Sequence, residues 1–217
     1  SYISMNSSNM ISYMYSDKYE DKSLDQQNKS VFLKQLLKIL TGMINSLSIS
    51  NIEKIMKMSE DFLAEEYDQF FTFYANYIIF HQNRSMDVFH MLCQLLCNYT
   101  KSSPYLKKTI LPLLRVLSDN LMASNRMIIS KTVLNIMIPL IKDKHFQFYS
   151  GEFIKLINLI SEDFSNVYKF LMVNILKYFP QTNTKKQVIL IKMMVKSLSR
   201  ISTKDFSTYN YKLMNSF

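Results

Sequence analysis

Hydrophobic residues recur along this chain at intervals of three and four, with lysine, serine and asparagine filling most of the positions between them. The pattern starts near Ser30. Over residues 31–47, Phe32, Leu36, Ile39 (with Leu40) and Met43 form one stripe, the spacing of a helix with a single buried face. Asn51 is a suitable cap for a second helix over 52–65, with Ile52, Ile55, Met56, Met58 and Phe62 turned inward. The acidic run Glu65, Glu66 and Asp68 leads into an aromatic helix from Phe70 to Phe80. Ser85 caps the next, which carries Val88, Leu92, Leu95 and Leu96. Ser103-Pro104 opens another, because proline is tolerated in a first turn, and Ile110, Leu113, Leu114, Leu117 and Leu121 line it. Ser124-Asn125 predicts a separate helix with Ile128, Val133, Ile136, Met137 and Leu140 inward. Pro112 and Pro139 fall inside these two and are expected to bend them. Ser150-Gly151 marks a turn before a helix over 152–160. Two more helices span 165–178, stopping at Phe179-Pro180, and 184–201, with Val188, Ile191, Val195, Leu198 and Ile201 on one face.

Composition sharpens this picture. The 217 residues include 2 Gly and 4 Pro, too few for the tight turns of a β-sandwich or the phosphate loops of an α/β enzyme. The fold class is therefore all-α. Short polar connections make neighbouring helices antiparallel, and a series of such hairpins predicts a HEAT-like α-solenoid; an orthogonal helical bundle is the alternative. No exact repeat period is visible, as expected where the only constraint is one buried face per helix. Residues 1–28 read as a polar leader, 29–206 as a single helical-repeat domain and 207–217 as a tail.

Little in the chain points to catalysis. There is no Walker loop, Gly-x-Ser-x-Gly elbow or His-Glu-x-x-His. Asp61, Glu65, Glu66 and Asp68 have no accompanying nucleophile or histidine and read as a solvated face. His90, Cys93 and Cys97 share a helical face at zinc-ligand spacing, but a fourth ligand is missing and thiols packed in a helix core are the commoner outcome. Phe70, Phe71, Phe73, Tyr74, Tyr77 and Phe80 read mainly as core, though exposed aromatics beside lysines can stack on single-stranded bases. Two cysteines make no disulfide framework, no apolar run spans a membrane, and residues 1–28 lack a signal-peptide core. These features predict a non-enzymatic protein of the cytoplasm or nucleus, with no cofactor, metal, membrane or small-molecule substrate.

Charge is unevenly placed. Residues 1–100 hold 8 Lys/Arg against 11 Asp/Glu, net −3, whereas residues 101–217 hold 18 against 6, net +12. Lys107, Lys108, Lys142, Lys144, Lys185, Lys186, Lys192 and Lys196 are the expected contact residues, forming a basic ridge along one edge of the solenoid. Such a ridge suits an acidic protein strip or a phosphate backbone.

From Pro139 onward the chain reads PLIKDKHFQFY and then FIKLINLISEDFSNVYKFLMVNILKYFPQTNTKKQVILIKMMVKSLSRISTKDF. This resembles the B-prime regulatory subunits of protein phosphatase 2A, which are HEAT-like solenoids. Leu176, Lys177, Tyr178, Pro180, Thr182, Lys186, Val188 and Phe206 fall in the family's register, with Phe179 in place of its tryptophan. Upstream, Leu113 to Leu117 is similar to the family's Leu-Leu-Glu-Ile-Leu. The resemblance implies binding to a scaffold and a catalytic subunit, and recruitment of substrates bearing Leu-x-x-Ile-x-Glu. The family's pocket for that motif maps onto His90, Met91, Cys93, Thr100, Arg115 and Val116. Only His90 keeps the family's residue, so the pocket is expected to be altered. The match stops at Phe217, short of the family's later repeats that approach the catalytic subunit, so the resemblance implies only part of that role. The functional expectation is a scaffold or regulatory subunit that binds a protein partner; an RNA-associated helical-repeat protein in a ribonucleoprotein is the alternative.

Overall fold

A computed structural model describes residues 28, 30–59, 66–98, 102–163 and 166–201, and all regular structure among them is helical. Eight α-helices follow in order: α1 over 30–42, α2 (Ile49–Met58), α3 (Tyr67–Phe80), α4 (Ser85–Cys97), α5 (Pro104–Met137), α6 (Ser150–Asp163), α7 (Val167–Lys177) and α8 (Thr184–Leu198). Short 3-10 turns occupy Ile44–Ser46, Gln82–Arg84, Ile138–Lys142 and Phe146–Phe148. The expected leader, except Asn28, and the expected tail lie outside the described residues, as do Asp61, Phe62, Glu65 and Thr100.

The helix starts follow local capping chemistry. Ser103 accepts the Leu106 N–H at 3.1 Å and Pro104 takes the first turn of α5, as its sequence predicts. Asn183 accepts the Lys186 N–H at 3.0 Å and opens α8. The cap of α2 is Ser48, which accepts the Asn51 N–H at 3.2 Å, so the helix begins before the Asn51 predicted to cap it. Ser85 is likewise the first residue of α4 rather than its cap, its hydroxyl donating to the Gln82 carbonyl at 2.6 Å.

The largest departure from the predicted elements is α5. No helix starts at Ser124-Asn125; α5 runs through this pair as one helix of 34 residues, about 51 Å at the α-helical rise. No glycine or proline interrupts residues 113–138, and a cap signal alone does not break a helix that is packed on both sides. Pro112 sits inside α5. It has no N–H for the Lys108 carbonyl four residues earlier, and the Tyr67 hydroxyl donates to that carbonyl instead, at 3.3 Å. Pro139 does not lie within an α-helix: α5 ends at Met137, and the proline falls in the Ile138–Lys142 turn.

Each helix packs mainly on helices close to it in the chain: α2 on α4, α5 on α3, α4 and α6, and α7 on α6 and α8. This is the arrangement of stacked hairpins, an α-solenoid, and not that of an orthogonal bundle closed on itself. The core is continuous along the array and rich in aromatics. Phe70, Tyr74, Tyr77, Phe89, Phe146, Tyr149 and Phe153 are fully buried, and Phe146 meets Phe153 edge-on with ring centres 5.1 Å apart. Polar tips find partners: the Tyr77 hydroxyl donates to the Leu47 carbonyl at 3.1 Å, and Tyr74 meets the Ser59 hydroxyl at 2.9 Å.

α1 and α8 turn much of their predicted inner stripe to solvent, though Leu40, Leu198 and Ile201 stay half-buried against the core. In α1 and the turn after it, Leu33, Leu37 and Ile44 are buried, while Phe32 (63%), Ile39 (60%) and Met43 (51%) are exposed and Leu36 lies at the boundary. In α8, Leu190, Met193 and Met194 are buried, and Val188, Ile191 and Val195 are exposed. Each helix carries two apolar faces, and periodicity alone cannot say which one the neighbours cover. Met58 and Ile128, also expected inward, are exposed at 75% and 67%.

Urea denaturation distinguishes the two readings of these helices. Leu37→Ala and Leu190→Ala should each cost about 2–5 kcal/mol of stability, whereas Ile39→Ser and Val195→Ser should each stay within about 0.5 kcal/mol of the parent. The opposite ranking would return the predicted stripes to the core.

Candidate protein-docking surface

The first turn of α5, the loop between α5 and α6, and the first turn of α8 converge on Asp143. Lys107, almost fully buried, donates to Asp143 Oδ2 at 2.5 Å. The Tyr149 hydroxyl donates to the same oxygen at 2.7 Å, and the His145 N–H to Oδ1 at 3.0 Å. Burial pushes the Asp143 carboxyl up, but Lys107, the His145 N–H and Tyr149 together hold it below the ordinary carboxylate range. Lys186, also buried, donates its ammonium to the Asp143 backbone carbonyl at 3.0 Å. Burial lowers the Lys186 pKa, and the Asp143 charge opposes that shift.

This cluster corrects the predicted ridge. Lys107 and Lys186 are interior residues that a partner cannot reach, because each supplies a cation to one buried carboxylate or its backbone. Asp143 is a single extended residue (φ −60°, ψ 132°) between the Ile138–Lys142 turn and the turn at Lys144, so its neighbours are Lys142 and Lys144. Both are exposed, with Lys185 exposed at the start of α8. The Asn183 amide reaches the Lys144 carbonyl at 3.5 Å, bringing these lysines to one edge. The Lys142 ammonium lies 4.2 Å from the centre of the Tyr178 ring and, with Lys177, draws the Tyr178 hydroxyl below its ordinary pKa. Lys108 is half-buried, its ammonium 4.8 Å from the centre of the Tyr67 ring.

Lys192 and Lys196 are exposed but stand further along α8. Lys196 is eleven residues from Lys185, about 16 Å along the helix. It donates to Asn158 Oδ1 at 2.9 Å and shares a polar hollow with Glu162 and Arg200. Lys185, Lys192 and Lys196 recur at intervals of seven and four, which keeps them on one face of α8, so the predicted ridge loses Lys107 and Lys186 to the interior while these three stay exposed. Of the other predicted residues, His90 and Val116 reach solvent, Arg115 is half-buried, and Met91 and Cys93 are packed in the core.

Residues 59–217 match the family model described as Protein phosphatase 2A regulatory B subunit (B56 family). The chain belongs to the B56 family. No curated protein and no solved structure gives a significant match. The B56 match begins at Ser59 and takes in α3 to α8, well upstream of the stretch from Pro139 on which the resemblance was clearest.

In this B56 chain Met91 and Cys93 cannot line an open pocket, since both sit within the α4 core. Burial pushes the Cys93 thiol up to about 12, which makes it inert, while Cys97 is exposed. Among the described residues no cluster of histidine, cysteine, aspartate and glutamate could hold a metal ion. Sequence reasoning missed Asp143 and Tyr149 as the centre of the basic edge. An acid set alone between Lys142 and Lys144, in a stretch otherwise short of acids, was the available signal.

Breaking the buried pair tests this arrangement. Lys107→Met strands the Asp143 carboxylate and should cost about 3–5 kcal/mol, with part recovered in Lys107→Met/Asp143→Asn. Because the folded Asp143 pKa is depressed, its contribution is fully present above its ordinary value of 3.8 and lost as pH falls through the folded value. Chemical denaturation across the acid range should show that loss in the parent and not in the double variant.

Proposed function

We propose that the chain acts as a non-enzymatic regulatory subunit of protein phosphatase 2A that docks on the phosphatase scaffold and catalytic subunits. Membership of the B56 family carries this reading. The exposed lysines at the solenoid edge, Lys142, Lys144 and Lys185, support it with a surface suited to an acidic protein strip. Lys192 and Lys196, exposed on the same face of α8 as Lys185, extend that surface. Family membership favours this reading over the ribonucleoprotein alternative. No helix among the described residues is long and apolar enough to cross a membrane, and action in the cytoplasm or nucleus fits the reading.

Substrate choice differs from the family pattern in this proposal. The motif pocket keeps His90, but Met91 and Thr100 stand where the family has arginines, and Arg115-Val116 stands where it has Glu-Ile. Without the two arginines a motif glutamate loses its charge-assisted hydrogen bonds. The chain would therefore bring different substrates to the phosphatase.

Size-exclusion chromatography with purified scaffold and catalytic subunits tests the proposal. The chain should co-elute with them, and Lys142→Glu/Lys144→Glu/Lys185→Glu should weaken the complex about tenfold. A Leu-x-x-Ile-x-Glu peptide should not bind. Failure to co-elute, together with tight and steeply salt-dependent RNA binding, would replace this reading with the ribonucleoprotein one.

A further inference from the structure

A polar hollow of about 500 Å³ lies where the end of α6, the first turn of α7 and the end of α8 meet, and none of its lining residues belongs to the family's motif pocket. Asn158, Ser161 and Glu162 come to it from α6, Tyr168 from α7, Lys196 from α8 and Arg200 from just past that helix. Its inner polar groups hold one another in place. The Ser161 hydroxyl donates to the Asn158 backbone carbonyl at 2.6 Å and lies 3.1 Å from the hydroxyl of the buried Tyr168. Asn158 Oδ1 accepts from Tyr168 at 3.3 Å and from the Lys196 ammonium at 2.9 Å.

What these bonds leave over is donors. With its oxygen occupied, Asn158 has its amide NH2 to offer. Lys196 uses one of its three N–H groups on an uncharged oxygen, so its positive charge is not neutralised. Arg200 is exposed, and among the described residues its guanidinium has no hydrogen-bond or ion-pair partner. Glu162 is the one acid in the lining; it is exposed and pairs with neither cation. Two cations against one carboxylate leave the lining net positive. The complement of such a lining is a group made only of acceptors. A phosphate monoester offers three acceptor oxygens and nearly two negative charges at neutral pH, more of both than a carboxylate. A nucleic-acid backbone suits the hollow less, because each diester carries a single charge and its neighbours call for a long run of cations.

We propose that this hollow binds the phosphate group of a phosphorylated side chain in a partner protein, with Lys196 and Arg200 on the phosphate oxygens and Glu162 accepting a neighbouring peptide N–H. Free inorganic phosphate shares this chemistry, and the test separates the two sources. Lys196 also stands on the α8 face proposed for docking, but phosphate binding needs none of the phosphatase subunits, so either reading can fail without the other.

The probe is a degenerate peptide library with one central phosphoserine, phosphothreonine or phosphotyrosine, screened on the full 217-residue chain beside its unphosphorylated counterpart. Phosphorylated peptides should be enriched, and a synthetic copy should bind about tenfold more tightly than its unphosphorylated form or inorganic phosphate. Lys196→Gln/Arg200→Gln should weaken that peptide about tenfold. Lys185→Gln/Lys192→Gln, the same loss of charge on α8 outside the hollow, should leave it within about twofold of the parent. Glu162→Gln removes the opposing charge and should tighten binding, a gain that misfolding cannot produce. Three results would overturn the site: equal binding with and without the phosphate, equal losses in the two double variants, or a peptide held no more tightly than inorganic phosphate. Displacement of the peptide by single-stranded RNA at a lower concentration than by unlabelled peptide would also overturn it, in favour of a nucleic acid.

Discussion

One buried carboxylate sets the register of the array. Asp143 receives Lys107 from thirty-six residues before it and Tyr149 from six residues after it, and its backbone carbonyl receives Lys186 from forty-three residues after it. Apolar packing joins α5 to α6, α6 to α7 and α7 to α8 but is non-directional. Hydrogen bonds to a single desolvated group have a fixed geometry, so they specify how far along its axis each helix sits. Two cations share one anion here, and the second is accommodated by donating to a carbonyl instead of the carboxylate. Desolvation lowers the Lys186 pKa, and the nearby Asp143 charge only partly offsets it.

The same anchor lies next to the outer surface. Asp143 turns its carboxylate to Lys107 and Tyr149, and the lysines on either side of it, Lys142 and Lys144, are exposed. The Asn183 cap of α8 reaches the Lys144 carbonyl and carries Lys185 to the same edge. A regulatory subunit of the B56 family needs a rigid surface more than a reactive one.

Much of the fold could be read from the residues. Glycine scarcity and three-four spacing identified an all-helical array, and Ser103-Pro104 marked the start of α5. The quoted stretch from Pro139 pointed to the family. The candidate site was legible only in outline. The lysines were visible, but Lys107 and Lys186 resemble the half-buried Lys108 and the exposed Lys185 in sequence while sitting inside. A lysine's burial depends on whether an acceptor waits at its tip, and the acceptors here lie some forty residues away.

The amino-acid sequence by itself determined that this chain is helical, where most helices lie and which half is basic. Those properties follow from local propensity, capping and charge, each read over a few neighbouring positions. Tertiary structure alone decided which of two apolar faces on α1 and α8 is covered, and which lysines are structural. Both choices depend on contacts between residues far apart in the chain, which no local pattern encodes.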